Sequence, residues 1–230
     1  MTATYRFPPP PIPAVPVRGS SSSYAVRRIF CVGRNYADHA REMGGDPNRE
    51  PPFYFTKSPD SIHLAGIDLP YPPATKNFHH EMELVVAIGA GAHDVASTAA
   101  LDAVFGYAVG LDMTRRDLQN DAKEKGRPWD LGKSFEHAAV IGDIVQATIC
   151  GHLAAGAITL SVNGAVKQTG DLADMVWNVP ELVAHLSAFY HLGPGDLIYT
   201  GTPAGVGAVV RGDRMTGSIA GLGDIHVAVV

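Results

Sequence analysis

Three acidic side chains, Glu81, Glu83 and Asp112, have the types and positions to bind a metal ion. Residues 81–88 alternate and predict a strand on which Glu81 and Glu83 share one face, about 7 Å apart at their bases. Asp112 follows another predicted strand, residues 105–111, where a helix begins. Neighbouring carboxylates repel unless a cation lies between them, and oxygen ligands favour Mg²⁺ or Mn²⁺. The alternative is a solvated face carrying two glutamates, which by spacing alone is commoner.

A candidate general base lies in the segment GRNYADHAREM, residues 33–43. If residues 36–43 are helical, His39 and Glu42 are one turn apart and can form a hydrogen bond. An imidazole held by a carboxylate can take a proton from water. An ordinary pair on a helix surface is the alternative, and spacing alone favours it.

Further side chains could bind an anionic substrate. Lys133 lies in LGKSFE, a segment predicted to be irregular, and Arg116 and Gln119 share one face of the helix after Asp112. Arginine and glutamine at this spacing can bind a carboxylate and a carbonyl, although a solvated helix face would look the same. The loop GTPAGVG, residues 201–207, lacks the GxxxxGK[ST] and GxGxxG patterns, so we expect its N–H groups and Thr202 to face an anion rather than a nucleotide.

Short strands must position most of these side chains. Alternating or apolar segments predict strands at residues 27–32, 81–88, 105–111 and 196–200, and further strands in the last 20 residues. Asn163-Gly164 between two alternating segments predicts a two-residue hairpin. Because strands dominate and helices are few, the fold class is predicted to be a β-rich α+β domain with peripheral short helices.

Two longer helices are predicted from their capping residues. Thr114, with Asp117 as its capping partner, would begin one helix, which Gly126 would end. Asn178, followed by Pro180 and Glu181, would begin another that extends to Gly193.

The first 24 residues differ in composition from the rest. A proline-rich stretch and then GSSSS predict an extended arm with a flexible joint, lying on the surface of one catalytic domain, residues 25–230. A ligand for a proline-recognising module is the alternative.

Composition excludes several classes of protein. Hydrophobic residues make up 46% of the 230 residues and charged residues 18%, which is typical of a globular protein with a sizeable core. With a net charge of −5 and no basic run, nucleic acid is a poor partner. Two cysteines favour a reducing compartment, and no segment reaches the roughly 20 apolar residues of a membrane span. Prolines interrupt the apolar core that a signal peptide needs, so we expect a cytoplasmic protein without membrane contacts.

Five segments together resemble the fumarylacetoacetate hydrolase family, in particular its small acylpyruvase and fumarylpyruvate hydrolase branch. They are CVGRNYADHAREM, FHHEMELVVAIG, GYAVGLDMTRRDLQNDAKEKGRPWDLGKSFE, SVNGAVKQTGDLADMVW and GDLIYTGTPAGVG. They occur in the family's order between residue 29 and about residue 207. The resemblance implies a mixed β-roll of the type found in the family's C-terminal domain, and a homodimer.

The resemblance also implies a role for each candidate residue. Glu81, Glu83 and Asp112 would hold Mg²⁺ or Mn²⁺, one ion per subunit. His39 and Glu42 would activate water, and Lys133 would stabilise the developing oxyanion. The pyruvyl end of the substrate would be bound by a set of polar side chains: Arg116, Gln119, Thr202 and, nearby, Lys57.

The implied reaction is hydrolysis of the C–C bond of a 2,4-dioxo acid, with fumarylpyruvate of the gentisate pathway as the preferred substrate. A general acylpyruvase and an oxaloacetate decarboxylase are alternatives on the same fold. A non-catalytic protein that binds a metal or a 2-oxo acid is an alternative of another class.

Overall fold

The computed structural model describes residues 4–42 and 50–230, except for the side chains of Ala40 and Glu42. The helices within these ranges are α1 (Ala37–Glu42), α2 (Arg116–Glu124), α3 (Asp130–Lys133), α4 (Ala147–Cys150) and α5 (Val179–Ser187). The strands are β1 (Ala14–Pro16), β2 (Ser23–Ala25), β3 (Arg28–Gly33), β4 (Phe53–Lys57), β5 (Ile62–Leu64), β6 (Phe78–His80), β7 (Met82–Ile88), β8 (Val104–Asp112), β9 (Thr114–Arg115), β10 (Ala139–Ile141), β11 (Val145–Gln146), β12 (Ala157–Val162), β13 (Ala165–Asp171), β14 (Asp196–Tyr199), β15 (Gly207–Val209), β16 (Arg214–Ile219) and β17 (Gly223–Ala228). None of these helices is long and apolar enough to cross a membrane.

A mixed sheet forms the centre of the molecule. Its strand order is β4-β3-β14-β7-β8-β10-β5, and β11 also pairs with β8. The β3–β14 and β5–β10 pairs are parallel, and the other pairs are antiparallel. An antiparallel sheet of order β13-β12-β16-β17 and a smaller sheet of order β15-β6-β9 complete the β-structure. The predicted β-rich fold with short helices is therefore confirmed.

The strand pair β7–β8 is buried on both faces. On one face, Leu84 and Val109 pack in a cluster that also contains Leu160 of β12 and Met215 of β16. The central sheet and the antiparallel sheet therefore share this core. Strands covered on both faces carry apolar residues at successive positions, as β7 does after Glu83.

The arm contributes to the core on the opposite face. Val15 of β1 is buried with Val85 and Tyr199, and β1 pairs with β2. The hydroxyl of Tyr24 lies 2.8 Å from the carbonyl oxygens of Ile88 and Asp196. Residues 4–12, in contrast, are exposed. The division of the chain at residue 25 remains a prediction, but the second half of the arm is packed against the sheet.

Two of the local predictions are confirmed. Strands β12 and β13 pair around Asn163 (φ 52°) and Gly164 (φ 79°), the two positive φ angles that a type I′ turn requires. Asn178 caps α5 in a capping box with Glu181. The helix ends at Ser187, before the predicted Gly193.

The predicted cap of α2 is wrong. The helix begins at Arg116, and Thr114 lies in β9 with its hydroxyl directed to Glu81. The carboxylate of Asp117 accepts hydrogen bonds from Thr75, from the N–H of Lys76 and from the N–H of Leu118 in its own helix, and does not pair with Thr114 in a capping box. The segment around Lys133 was predicted to be irregular, but it contains the single helical turn α3.

Candidate active site

Three buried carboxylates converge at one end of β7 and β8. Glu83 lies on β7, and Glu81 is the residue immediately before that strand. Asp112 is the last residue of β8. The N–H of Asp112 donates to the carbonyl of Glu81 at 2.9 Å, which brings the two chain segments into register. One oxygen from each carboxylate lies within 4.8 Å of the others. The solvated-face alternative does not apply, because all three residues are at most 5% exposed.

Lysine and arginine side chains surround two of the carboxylates. The Nζ of Lys133 lies 2.8 Å from Glu81 Oε2, 2.8 Å from Asp112 Oδ2 and 2.7 Å from Thr114 Oγ1. Arg116 also donates to Glu81. Burial raises the pKa of Glu81, but the charges of Lys133, Arg116 and His39 outweigh burial, so the net shift is downward. Glu81 is therefore a stable carboxylate despite its burial.

Glu83 forms no ion pair with a lysine or an arginine in the described part of the chain. Its Oε2 accepts a hydrogen bond from the N–H of Gly201 at 2.8 Å. Burial raises the pKa of Glu83 well above its usual range, and the carboxylates of Asp112 and Glu81 raise it further. A positive charge among the three acids would relieve this repulsion.

The donor set fits a hard divalent cation. Asp112 Oδ1 is buried and accepts no hydrogen bond in the described part of the chain, although Lys57 Nζ lies 2.7 Å from it in an ion pair. Asp112 Oδ1 and the carboxylate oxygens of Glu81 and Glu83 are ligands of the kind that Mg²⁺ and Mn²⁺ prefer.

A cavity opens above the carboxylates. Seven of the candidate residues line it: His39, Glu81, Glu83, Arg116, Gln119, Lys133 and Thr202. His39 lies on α1 with its side chain buried, whereas the side chain of Glu42 lies outside the described residues. The His39–Glu42 pair therefore stays a prediction. Lys57 is not part of the lining, since it lies behind Asp112.

Polar side chains on two elements face the cavity in a fixed arrangement. Arg116 Nη1 donates to Gln119 Oε1 at 2.5 Å along α2. Thr202 follows β14, and its hydroxyl accepts a hydrogen bond of 2.8 Å from Gln168 Nε2. Each of these side chains is buried, so the cavity offers ordered donors for a carboxylate.

Aromatic rings form one wall of the cavity. Phe53 and Phe55 come from β4, and Trp129 precedes α3. The ring centroids of Phe53 and Trp129 are 5.5 Å apart, and those of Phe55 and Trp129 are 5.8 Å apart. The Phe53 and Trp129 rings meet edge to face, at 87°, so the wall offers an apolar surface of tilted rings beside the charged end of the site.

A family model described as fumarylacetoacetate (FAA) hydrolase C-terminal matches residues 28–230. The chain belongs to the fumarylacetoacetate hydrolase family. The matched region contains every side chain placed in the cavity, and the family membership inferred from the five sequence segments is confirmed.

Relatives within the fumarylacetoacetate hydrolase family extend over most of the chain. A fumarylpyruvate hydrolase from Ralstonia sp is 50% identical over 186 residues, covering 80% of this chain and 95% of the relative. A mitochondrial oxaloacetate tautomerase from Homo sapiens is 40% identical over 196 residues, covering 85% and 88%. The crystal structure of fumarylpyruvate hydrolase from Pseudomonas aeruginosa in complex with Mn²⁺ and pyruvate matches with a TM-score of 0.96 and 51% identity, covering 99% of each chain.

Two buried side chains that support the site were not among the candidates. Asn35 donates to the carbonyls of Trp177 and Thr200, both at 2.8 Å, and so ties the start of α1 to the end of β14. Gln168 accepts from the N–H of Met82 while it holds Thr202. Both residues lie in segments that resemble the family, but their partners are distant in sequence, so spacing contained no signal for these roles.

Proposed function

We propose that this chain is a divalent-metal-dependent hydrolase that cleaves fumarylpyruvate and water into fumarate and pyruvate. One observation carries the proposal. Three buried carboxylates, with a donor set that fits Mn²⁺, lie in a chain that is 51% identical over 99% of its length to a fumarylpyruvate hydrolase crystallised with Mn²⁺ and pyruvate.

Glu81, Glu83 and Asp112 would hold one Mg²⁺ or Mn²⁺ ion. When bound, such a cation acts as a Lewis acid that polarises a 2-oxo group and favours negative charge on an enolate. The carboxylate of the pyruvyl group would be bound by Arg116, Gln119 and Thr202. This arrangement directs the acyl half of the substrate toward the aromatic wall.

His39 would act as the general base. It takes a proton from water, whose oxygen attacks the C4 carbonyl of the substrate, and Lys133 donates a hydrogen bond to the oxyanion that forms. The C3–C4 bond then breaks and its electron pair remains with pyruvate as the enolate. His39 returns its proton to C3, and the new carboxylic acid loses its own proton to solvent. We propose that Glu42 orients His39 and that Lys57 acts only through Asp112.

The second candidate function is tautomerisation or decarboxylation of oxaloacetate. It is considered because the chain is 40% identical to a mitochondrial oxaloacetate tautomerase. Tautomerisation of oxaloacetate passes through the enolate of oxaloacetate itself, decarboxylation releases carbon dioxide and the enolate of pyruvate, and neither reaction needs an attacking water. The same cavity therefore suits either substrate. The requirement for His39 separates hydrolysis from decarboxylation, and product analysis separates tautomerisation, which also uses a base but breaks no C–C bond.

The test compares fumarylpyruvate, acetylpyruvate and oxaloacetate as substrates of the Mn²⁺-loaded protein. We expect kcat/KM to be highest for fumarylpyruvate. A higher value for oxaloacetate would favour the second candidate, and no turnover of any of the three would favour a binding protein.

We further propose that the protein is a cytoplasmic homodimer. Each subunit would have one catalytic domain, residues 25–230, and an N-terminal arm, residues 1–24. The family resemblance supports the dimer, and the composition supports the location. Light scattering of the full chain and of a chain lacking residues 1–12, which include the exposed residues 4–12, would test the assembly and the role of the arm.

A further inference from the structure

Two basic side chains, Arg34 and Lys123, line the cavity without belonging to the carboxylate cluster. Arg34 follows the end of β3, and Lys123 lies in the last turn of α2. They therefore approach the cavity from two separate elements, and chain connectivity does not explain why both are there.

Among the described side chains of residues 4–41 and 50–230, no carboxylate forms an ion pair with Arg34 or Lys123. Lys133, Arg116 and Lys57 in the same region are each paired with Glu81 or Asp112. Partial burial lowers the pKa of Lys123, and the guanidinium groups of Arg34 and Arg116 lower it further. Two like charges that face one cavity repel each other, so a bound anion would stabilise both.

The aromatic wall joins this cationic end to the carboxylate end. Lys133 Nζ lies 5.0 Å from the ring centroid of Phe55, and Phe55 contacts Trp129. Trp129 in turn contacts Phe53, and the guanidinium carbon of Arg34 lies 5.9 Å from the Phe53 ring. The cavity is thus charged at both ends and apolar along the wall between them.

The backbone at Arg34 shows that its position is unusual. Its φ of 55° places a long side chain in the left-handed region, where glycine or asparagine would be less strained. Strain of this kind persists where surrounding structure enforces it, and it concentrates at ligand sites. Arg34 lies three residues before α1, the helix that carries His39, and both side chains line the cavity.

We propose that Arg34 and Lys123 bind the distal carboxylate of the acyl group, so that the site selects acylpyruvates that end in a second carboxylate. This inference rests on the proposed function. A planar, unsaturated acyl chain would lie along the wall of Phe53, Phe55 and Trp129, with its pyruvyl group at the metal ligands and its far carboxylate between the two cations. Fumarylpyruvate has this form, whereas acetylpyruvate ends in a methyl group.

The experiment compares the variants Arg34→Gln and Lys123→Gln on both substrates with Mn²⁺ present. A charge-assisted hydrogen bond contributes enough for its loss to lower kcat/KM about tenfold or more. We therefore expect the ratio of kcat/KM for fumarylpyruvate over acetylpyruvate to fall about tenfold in each single variant, and further in the double variant. Matched controls are Lys125→Gln and Arg127→Gln, which remove the same charge from neighbouring residues outside the cavity and should leave the ratio unchanged.

Equal losses on both substrates would overturn the inference, because they would mean that the two cations only attract anions or maintain the fold. An unchanged ratio would overturn it as well. Arg127 lines a neighbouring groove, to which Trp129 also belongs. A fall of the ratio in Arg127→Gln instead would place the distal carboxylate in that groove and would also contradict the assignment.

A binding measurement separates this inference from the proposed function. Fumarate, titrated into the Mn²⁺-loaded protein by calorimetry, should bind wild type and bind each variant about tenfold more weakly. If wild type binds fumarate in this way but turns over no acylpyruvate, the proposed hydrolase activity fails while the distal site stands. If fumarate binds wild type and both variants equally, the distal site fails whatever the activity.

Discussion

The backbone N–H of Gly201 donates a hydrogen bond of 2.8 Å to the carboxylate of Glu83. This bond connects the loop after β14 to the carboxylate cluster. Gly201 has a φ of 96°, and a Cβ atom at this position would lie 2.7 Å from Cβ of Asn35. The conformation and the space therefore both require glycine here.

Gly201→Ala should destabilise the protein by about 1–3 kcal/mol and lower kcat/KM, because the loop must move away from Glu83. Chemical denaturation and steady-state kinetics measure the two effects. Gly126→Ala is the control: φ is also positive there, but a Cβ meets nothing within 4 Å. It should reduce stability by about 1 kcal/mol with little change in kcat/KM. If Gly201→Ala behaved like this control, the loop would not position the cluster.

Glu83→Gln should weaken Mn²⁺ binding by more than about 100-fold, since it removes a proposed ligand rather than a supporting group. It should not reduce the stability of the metal-free protein, because burial and the neighbouring carboxylates of Asp112 and Glu81 already disfavour the charged form of Glu83. Isothermal titration and denaturation in chelator test both points, with exposed Glu124→Gln as the control. Unaltered Mn²⁺ affinity would exclude Glu83 as a ligand.

The carboxylate cluster was predictable because its geometry follows from strand pairing. Glu81 and Glu83 are two residues apart at the start of β7, and Asp112 ends the neighbouring strand, so pairing alone brings the three together. The hairpin at Asn163-Gly164 and the cap at Asn178 were predictable for a similar reason, since both are local.

Contacts between distant segments were not predictable in this way. Thr114 has the residue type of a helix cap, but Lys133 and Glu81 engage its hydroxyl, so tertiary contacts override the local preference. Val15 lies in a stretch whose composition suggests a surface arm, yet it is buried against β7. The aromatic wall likewise combines β4 with Trp129, which no sequence spacing relates.

His39→Ala should lower kcat on fumarylpyruvate by about 10²–10⁴-fold while Mn²⁺ still binds. The reason is that water would lose its base but the carboxylates would remain. Decarboxylation of oxaloacetate, which needs no attacking water, should decline less. Exposed His226→Ala serves as the control. Comparable losses on both substrates would mean that His39 does not act on water.

Gln168→Leu should destabilise the protein by about 1–3 kcal/mol and raise KM, because it leaves buried partners without hydrogen bonds. Its amide binds Thr202 Oγ1 and the carbonyl of Pro203, both at 2.8 Å, and also accepts from the N–H of Met82. Denaturation and kinetics at several substrate concentrations check the two effects. A stability loss with no change in KM would show that Gln168 does not position Thr202 for substrate.

His63 makes the fold sensitive to acid. Burial lowers the pKa of His63, whose ring contacts His137 Nδ1 at 3.2 Å and the carbonyl of Ile67 at 3.1 Å. As the pH falls through the ordinary histidine pKa of about 6.5, the unfolded chain binds a proton that the folded chain resists, so stability decreases. The free energy of unfolding should therefore fall more steeply between pH 7.5 and pH 5.5 in wild type than in His63→Gln. Equal slopes would contradict this assignment.

Metal dependence of fumarylpyruvate cleavage tests the central claim most directly. The protein is treated with chelator, dialysed and assayed for kcat/KM before and after Mn²⁺ is added back. We predict that activity is lost with the metal and returns when about one Mn²⁺ per subunit has bound, as the cluster of Glu81, Glu83 and Asp112 requires. Full activity of the metal-free protein would contradict the account.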